Sequence, residues 1–184
     1  MKKVIKAGLM TLVVFMFGAC GDDFKTVKIG EQTWMAENLN DASKGGKCYD
    51  DKPENCEKYG RLYTWAEAVK ACPTGWHLPS GNEWQTLVDV VDVGGKRLAG
   101  EKLKAKSGWT GGNGTDKYGF SALPGGAINS VGGFASVGQI GVWWSATNVN
   151  ADNARIYILL HESSSMGSAD TEKMESYSLR CVKD

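Results

Sequence analysis

The stretch that most limits what this chain can fold into is residues 72–84, Cys-Pro-Thr-Gly-Trp-His-Leu-Pro-Ser-Gly-Asn-Glu-Trp. Pro73 cannot continue a helix that ends at Cys72, and Pro79 keeps the backbone before it extended. Ser80 and Glu83 then have capping-box spacing: the serine oxygen accepts from a free first-turn amide while the glutamate reaches back to the cap. Trp76 and Trp84 place two large apolar bodies at the same point. A cysteine, two prolines and two tryptophans this close together read as a corner between two helices. They do not read as a catalytic site, and His77 within them reads as a structural histidine.

Helical spacing on either side supports the corner. Trp65, Ala66, Val69 and Cys72 predict one face of a helix over residues 63–72. Trp84, Leu87, Val88 and Val91 predict the apolar side of a second helix over residues 83–91. A third is expected around residues 96–106, basic on its outer side. Before the corner, residues 26–35 alternate apolar and polar about Gly30-Glu31, the pattern of a hairpin. Residues 38–58 are polar and acidic and predict a surface loop; Asp50, Asp51, Glu54 and Glu57 match no calcium-loop spacing.

After the third helix the character changes. Residues 108–141 contain eleven glycines, yet Trp109, Tyr118, Phe120 and Phe134 interrupt them, and rings of that size need burial. The expectation is an ordered, irregular region with glycines at special backbone angles. Strands are predicted at residues 140–146, 154–160 and 176–182, with a turn-rich link at Asn148, Asn150, Asp152 and Asn153. The fold class is therefore α+β: two to three helices packed on small antiparallel sheets, with a long irregular loop region.

The start of the chain bears on its compartment. Lys2, Lys3 and Lys6 precede an apolar run over residues 7–17, too short to cross a membrane as a helix. Phe17-Gly18-Ala19-Cys20 follows. The segment resembles a bacterial lipoprotein signal, which implies removal of residues 1–19 and acylation of Cys20. Residues 20–25 would then be a tether and residues 26–184 a single domain. Losing those three lysines leaves 18 basic against 21 acidic residues, a net charge near −3. That lacks the basic excess that displaces counterions from phosphates, so nucleic acid is excluded as a partner. The four remaining cysteines, Cys48, Cys56, Cys72 and Cys181, are an even number in an exported chain and predict two disulfides in one of three pairings. Their irregular spacing, with no Cys-x-x-Cys, argues against zinc.

Several longer motifs carry a family resemblance. They are Val-Lys-Ile-Gly-Glu-Gln-Thr-Trp-Met-Ala-Glu-Asn-Leu at 27–39, Tyr-Gly-Arg-Leu-Tyr-Thr-Trp at 59–65, and Cys-Pro-Thr-Gly-Trp-His-Leu-Pro-Ser at 72–80 with Glu83-Trp84. Tyr-Gly-Phe-Ser-Ala-Leu-Pro-Gly-Gly at 118–126, Trp-Trp-Ser at 143–145 and Leu-Arg-Cys-Val-Lys-Asp at 179–184 follow in order. Together they resemble the Fibrobacter succinogenes major paralogous domain family, common in exported bacterial proteins and without an established role. More loosely, the arrangement is similar to the C-type-lectin-like fold, which the sulfatase-modifying-factor family shares. That fold joins its first helix to its last strand by a disulfide. The resemblance thus implies Cys72 with Cys181 and leaves Cys48 with Cys56. In the chain-entropy model these closures are worth nearly 5 and roughly 2.5 kcal/mol.

Chemistry is sparse. The modifying-factor enzymes use a reactive cysteine pair late in the domain, and here only Cys181 lies in the later half. His161 stands beside Glu162 and Ser163 to Ser165, but without a nucleophile-elbow pattern. The lectins' calcium ligands do not carry over, because Ser145 stands where a ligand would be needed. Seven tryptophans are many for one domain, and the adjacent Trp143 and Trp144 must point to opposite faces of a strand. The expectation is that one is core, while the other is either covered by the glycine-rich loops or open as a stacking platform for sugar rings or a partner protein. The functional expectation is a lipid-anchored binding, adhesion or surface-organising module without catalytic apparatus, metal or cofactor. Its candidate ligand residues are Trp109, Tyr118, Trp143 and Trp144. A polysaccharide or another envelope protein is the expected partner, at the outer membrane or cell surface of a bacterium. A modifying-factor-like enzyme and a purely structural envelope protein are the alternatives.

Overall fold

A computed structural model describes residues 24–184; the expected signal sequence and Cys20 lie outside the described residues. The chain begins with a hairpin, β1 (Thr26–Ile29) and β2 (Gln32–Met35), turning at Gly30 as the alternation predicts. Two short 3-10 turns, Ala42–Lys44 and Tyr49–Asp51, lead to α1 (Pro53–Tyr59). This helix falls where a plain surface loop was expected. Pro53 opens it in the first turn, where a missing amide costs nothing, and Cys56 and Tyr59 turn inward.

Next come β3 (Tyr63–Thr64), α2 (Trp65–Ala71), β4 (Trp76–His77) and α3 (Gly81–Val91). Both α2 and α3 start at a capping box, Thr64 with Glu67 and Ser80 with Glu83. On α3 the buried residues are Trp84, Leu87 and Val91, the predicted face. On α2 they are Ala68 and Ala71, whereas Val69 is 40% exposed. The predicted stripe is therefore rotated. With β3 and β7 packed close against it, small residues fit the inner face and the larger valine is pushed outward.

The third helix shrinks to α4 (Ala99–Leu103). The glycine-rich region is ordered, as expected, and contributes the short strands β5 (Ala127–Ile128) and β6 (Phe134–Ala135). Gly126 shows why glycine is needed there: its φ is +72°, and a Cβ would come within 2.6 Å of the Ala135 carbonyl. Then follow β7 (Ile140–Asn148), β8 (Asn153–Leu160), β9 (Met166–Glu172), β10 (Ser176–Tyr177) and β11 (Val182–Lys183). The final predicted strand is thus two short ones. The unpredicted β9, Met-Gly-Ser-Ala-Asp-Thr-Glu, has no apolar alternation and is held by seven registered pairs with β8.

The strands form three small antiparallel sheets, ordered β1-β2-β11-β4, β3-β10-β5-β6 and β7-β8-β9. The architecture is α+β, with few helices on several small sheets. Its centre is β7, which is covered on both faces. Trp143 joins Trp34, Trp84, Phe120, Tyr157 and α3 in one cluster. Val142 and Trp144 join Tyr63, Ala68, Ala71, Tyr177 and Leu179 in another. Trp84 stacks on Tyr157 at 5.3 Å between ring centres and tilts against Trp34 at 4.8 Å. The two disulfides are Cys48–Cys56 and Cys72–Cys181, the latter closing a separation of 109 residues.

Candidate functional site

Placing the tryptophans corrects the expected site. Trp143 and Trp144 do point to opposite faces, but both are 0% exposed, and Trp109 is 4% exposed. Each indole N–H is used inside the protein. Trp143 donates to Asn38 Oδ1 (2.8 Å), Trp144 to the Tyr63 carbonyl (2.7 Å) and Trp109 to the Ala122 carbonyl (2.9 Å). The physical reason is the double cover on β7 and the packing of the glycine-rich region over Trp109. A ring enclosed on all sides offers no face to a sugar, so these three do not form a stacking platform. Tyr118, half-buried, packs on the edge of the first cluster with Lys117 5.8 Å from its ring centre.

The histidines are also tied into the fold. His77 Nδ1 lies 2.6 Å from Asp184 Oδ1 and Nε2 lies 2.7 Å from Glu83 Oε1. Glu83 is the capping-box glutamate, so the opening corner, the α3 cap and the last residue meet at one ring. Partial burial disfavours the charged ring. Hydrogen bonds to both carboxylates outweigh that and raise its pKa above the ordinary value. His161 Nδ1 faces the Thr110 carbonyl at 2.7 Å, while Ser163 Oγ bonds Ser165 Oγ at 3.0 Å. Among the described residues no hydrogen bond joins His161 to a serine hydroxyl, and no three His, Cys, Asp or Glu gather as a metal-binding cluster.

An open concave feature lies elsewhere. A groove of about 1160 Å³ runs between the segment after β2, the end of α1, the Pro73-Thr74 turn and Gly119, Ser121 and Leu123. Phe24, Leu39, Pro73 and Leu123 give it half-buried apolar surface, while Glu37, Asn40, Glu57 and Lys58 stand exposed at its rim. Lys25 and Lys58 face Glu37, Asp41 and Glu57, so the charges are mixed and close to balanced. The Asp41 carboxylate is held below its usual pKa by accepting from Ser43, whose hydroxyl and amide are 2.7 and 2.9 Å away.

Asn38 forms part of the groove floor, buried to 7% exposure. Its Nδ2 donates to the Tyr59 carbonyl (2.8 Å), and its Oδ1 accepts from Trp143 and from Arg180 Nη2 (2.9 Å). Arg180 itself is fully buried. It donates also to the Phe120 carbonyl and sits 4.2 Å from the Phe120 ring centre. Burial pushes its pKa down to about 9, against the pull of Asp116 and Glu37. Gly60 lets this happen: at φ +76° a Cβ would lie 2.7 Å from Asn38 Cβ. One carboxamide thus fixes the groove floor to the aromatic core. Asn38 opens the stretch whose polarity predicts a surface loop; its place in the Ala-Glu-Asn-Leu motif is the one signal in the sequence for another role.

Fold and disulfides together define an α+β domain of small antiparallel sheets, braced from helix to last strand and sealed around tryptophan. The chain belongs to the Fibrobacter succinogenes major domain family, whose model matches residues 27–183. No curated protein and no solved structure gave a match.

Proposed function

We propose that this is a binding module of the bacterial envelope, anchored through acylated Cys20, that holds a neutral polysaccharide chain in the groove beside α1. The observation that carries the reading is the groove itself. Its roughly 1160 Å³ lies just above the usual span for a single small ligand and suits several linked residues of a polymer. Exposed amide, carboxylate and hydroxyl groups at Asn40, Glu57 and Thr74 match sugar hydroxyls, and the apolar strip of Leu39, Pro73 and Leu123 matches their C–H faces. Near-balanced charge favours a neutral chain over a polyanion. The helix-to-last-strand disulfide supports a C-type-lectin-like arrangement, here used without calcium. Catalysis has no part in the proposal.

Affinity electrophoresis against a panel of soluble neutral polysaccharides tests it. The protein should be retarded by at least one of them, and the Asn40→Ala/Glu57→Ala variant should bind about tenfold more weakly at unchanged melting temperature. Absence of retardation by every polysaccharide would remove the reading. The anchor is checked separately: a clickable palmitate analogue should label the wild-type protein in cells and fail to label Cys20→Ser.

A further inference from the structure

The two disulfides stand in different electrostatic surroundings. Cys181 is fully buried within the second core cluster, with Cys72 packed against it. At the other bridge, Arg61 Nη1 lies 3.8 Å from Cys48 Sγ and 3.5 Å from Cys56 Sγ. Backbone carbonyls hold the guanidinium in place: Nε donates to Gly45 (2.9 Å) and Nη2 to Gly46 (2.7 Å). Among the described residues no carboxylate lies within salt-bridge distance of it. Asp41 and Glu67 feel its charge at longer range, while Nη1 is the part of the guanidinium turned to the sulfurs.

A disulfide sulfur is a weak acceptor, whereas a thiolate beside an arginine is strongly stabilised. Arg61 thus favours the reduced, ionised pair over the bridge. The loop closed is also short, with a separation of 8 residues against 109 for the other bridge, so opening it gives up less of the fold's stability. We propose that Cys48–Cys56 is a reversible, thiol-exchangeable bridge, with Arg61 stabilising the departing thiolate. A thiolate of an external dithiol attacks Cys48, the less buried cysteine. The sulfur–sulfur bond breaks, and its electron pair leaves on Cys56, the sulfur nearer Arg61. The dithiol's second thiolate then attacks its own first sulfur in the mixed disulfide and frees Cys48. Two electrons pass to the protein, and the reagent leaves as its disulfide. Cys56 sits on α1, one wall of the groove, so opening the bridge unpins that wall. That consequence rests on the groove being the binding site; the thiol exchange does not.

The test is equilibration of the purified protein over a series of dithiothreitol redox ratios, acid quenching, alkylation and mapping of each cysteine by mass spectrometry. Cys48 and Cys56 should be alkylated at ratios where Cys72 and Cys181 remain bridged. Arg61→Gln should make the first bridge about tenfold harder to reduce, equal to about 30 mV for a two-electron couple, with Arg61→Lys in between. In the reduced wild-type protein, the rate of Cys56 alkylation against pH should report a thiol below the ordinary value of about 8.5. Simultaneous opening of both bridges, an Arg61→Gln bridge as easily reduced as wild type, or an ordinary thiol pKa would each overturn the proposal. Because the mapping contains no polysaccharide, its failure leaves groove binding untouched, and loss of groove binding leaves the mapping untouched.

Discussion

The strand carrying Trp143 and Trp144 and the loop carrying Asn38, Asn40 and Asp41 invert what their compositions promise. Two adjacent tryptophans look like a recognition surface, and a run of asparagines and acids looks like an inert loop. In the folded protein the tryptophans are sealed on both sides of β7, while the polar loop and α1 form walls of an open groove. The difference teaches that a large ring is as useful for filling a core as for gripping a ligand. Which use prevails depends on how many faces of its strand are covered. Here both are covered, and the groove is left to residues whose side chains can face water.

The contrast can be broken by substitution. Trp144→Ala deletes a fully buried indole and its bond to the Tyr63 carbonyl, so urea unfolding should show a loss of about 4 kcal/mol. Wild-type stability in that variant would mean the strand is not the centre of the fold. Asn38→Ala comes next. Although Asn38 forms part of the groove floor, it should behave as core, because the change strands the Trp143 N–H and the buried Arg180 guanidinium. A loss of about 3 kcal/mol is expected in the same measurement. A loss below 1 kcal/mol would show that the floor and the core are uncoupled.

A smaller effect belongs to His77, where both ring nitrogens face carboxylates and only the imidazolium can donate to both. Its folded pKa is raised, so its contribution is fully present below the unfolded value of about 6.5 and is lost as pH rises through the folded pKa. The ring is 41% exposed, so the amount is no more than about 1 kcal/mol after screening. Melting temperature against pH should fall over that window in the wild type, and His77→Gln should remove that part of the fall. An identical pH profile in the variant would place the stabilisation elsewhere. Smallest of all, Asn40→Ala and Glu57→Ala at the rim should each change unfolding free energy by no more than about 0.5 kcal/mol. A large loss there would turn the rim into structure and weaken its claim as a recognition surface.

Much of the frame was legible without coordinates. The Ser80–Glu83 cap, the face of α3, the β1–β2 hairpin and the opposed directions of Trp143 and Trp144 follow from local rules: a side chain reaching three residues back, a period of 3.6 or of 2. The misses share a cause. The α2 stripe rotated because its neighbours leave room only for alanine. β9 has no pattern of its own and exists because β8 offers seven pairing partners. α1 hides in a polar run because a bridge at Cys56 and a buried Tyr59 supply the apolar grip that its composition lacks.

By itself, then, the sequence determined the elements whose stabilising partners lie within a few residues, together with the family, which its ordered motifs carry. The tertiary structure alone decided which aromatic rings are buried, that Asn38 joins groove to core across 142 residues to Arg180, and where an open surface remains. Burial is a property of what packs on both faces of an element, and those faces are filled from distant parts of the chain.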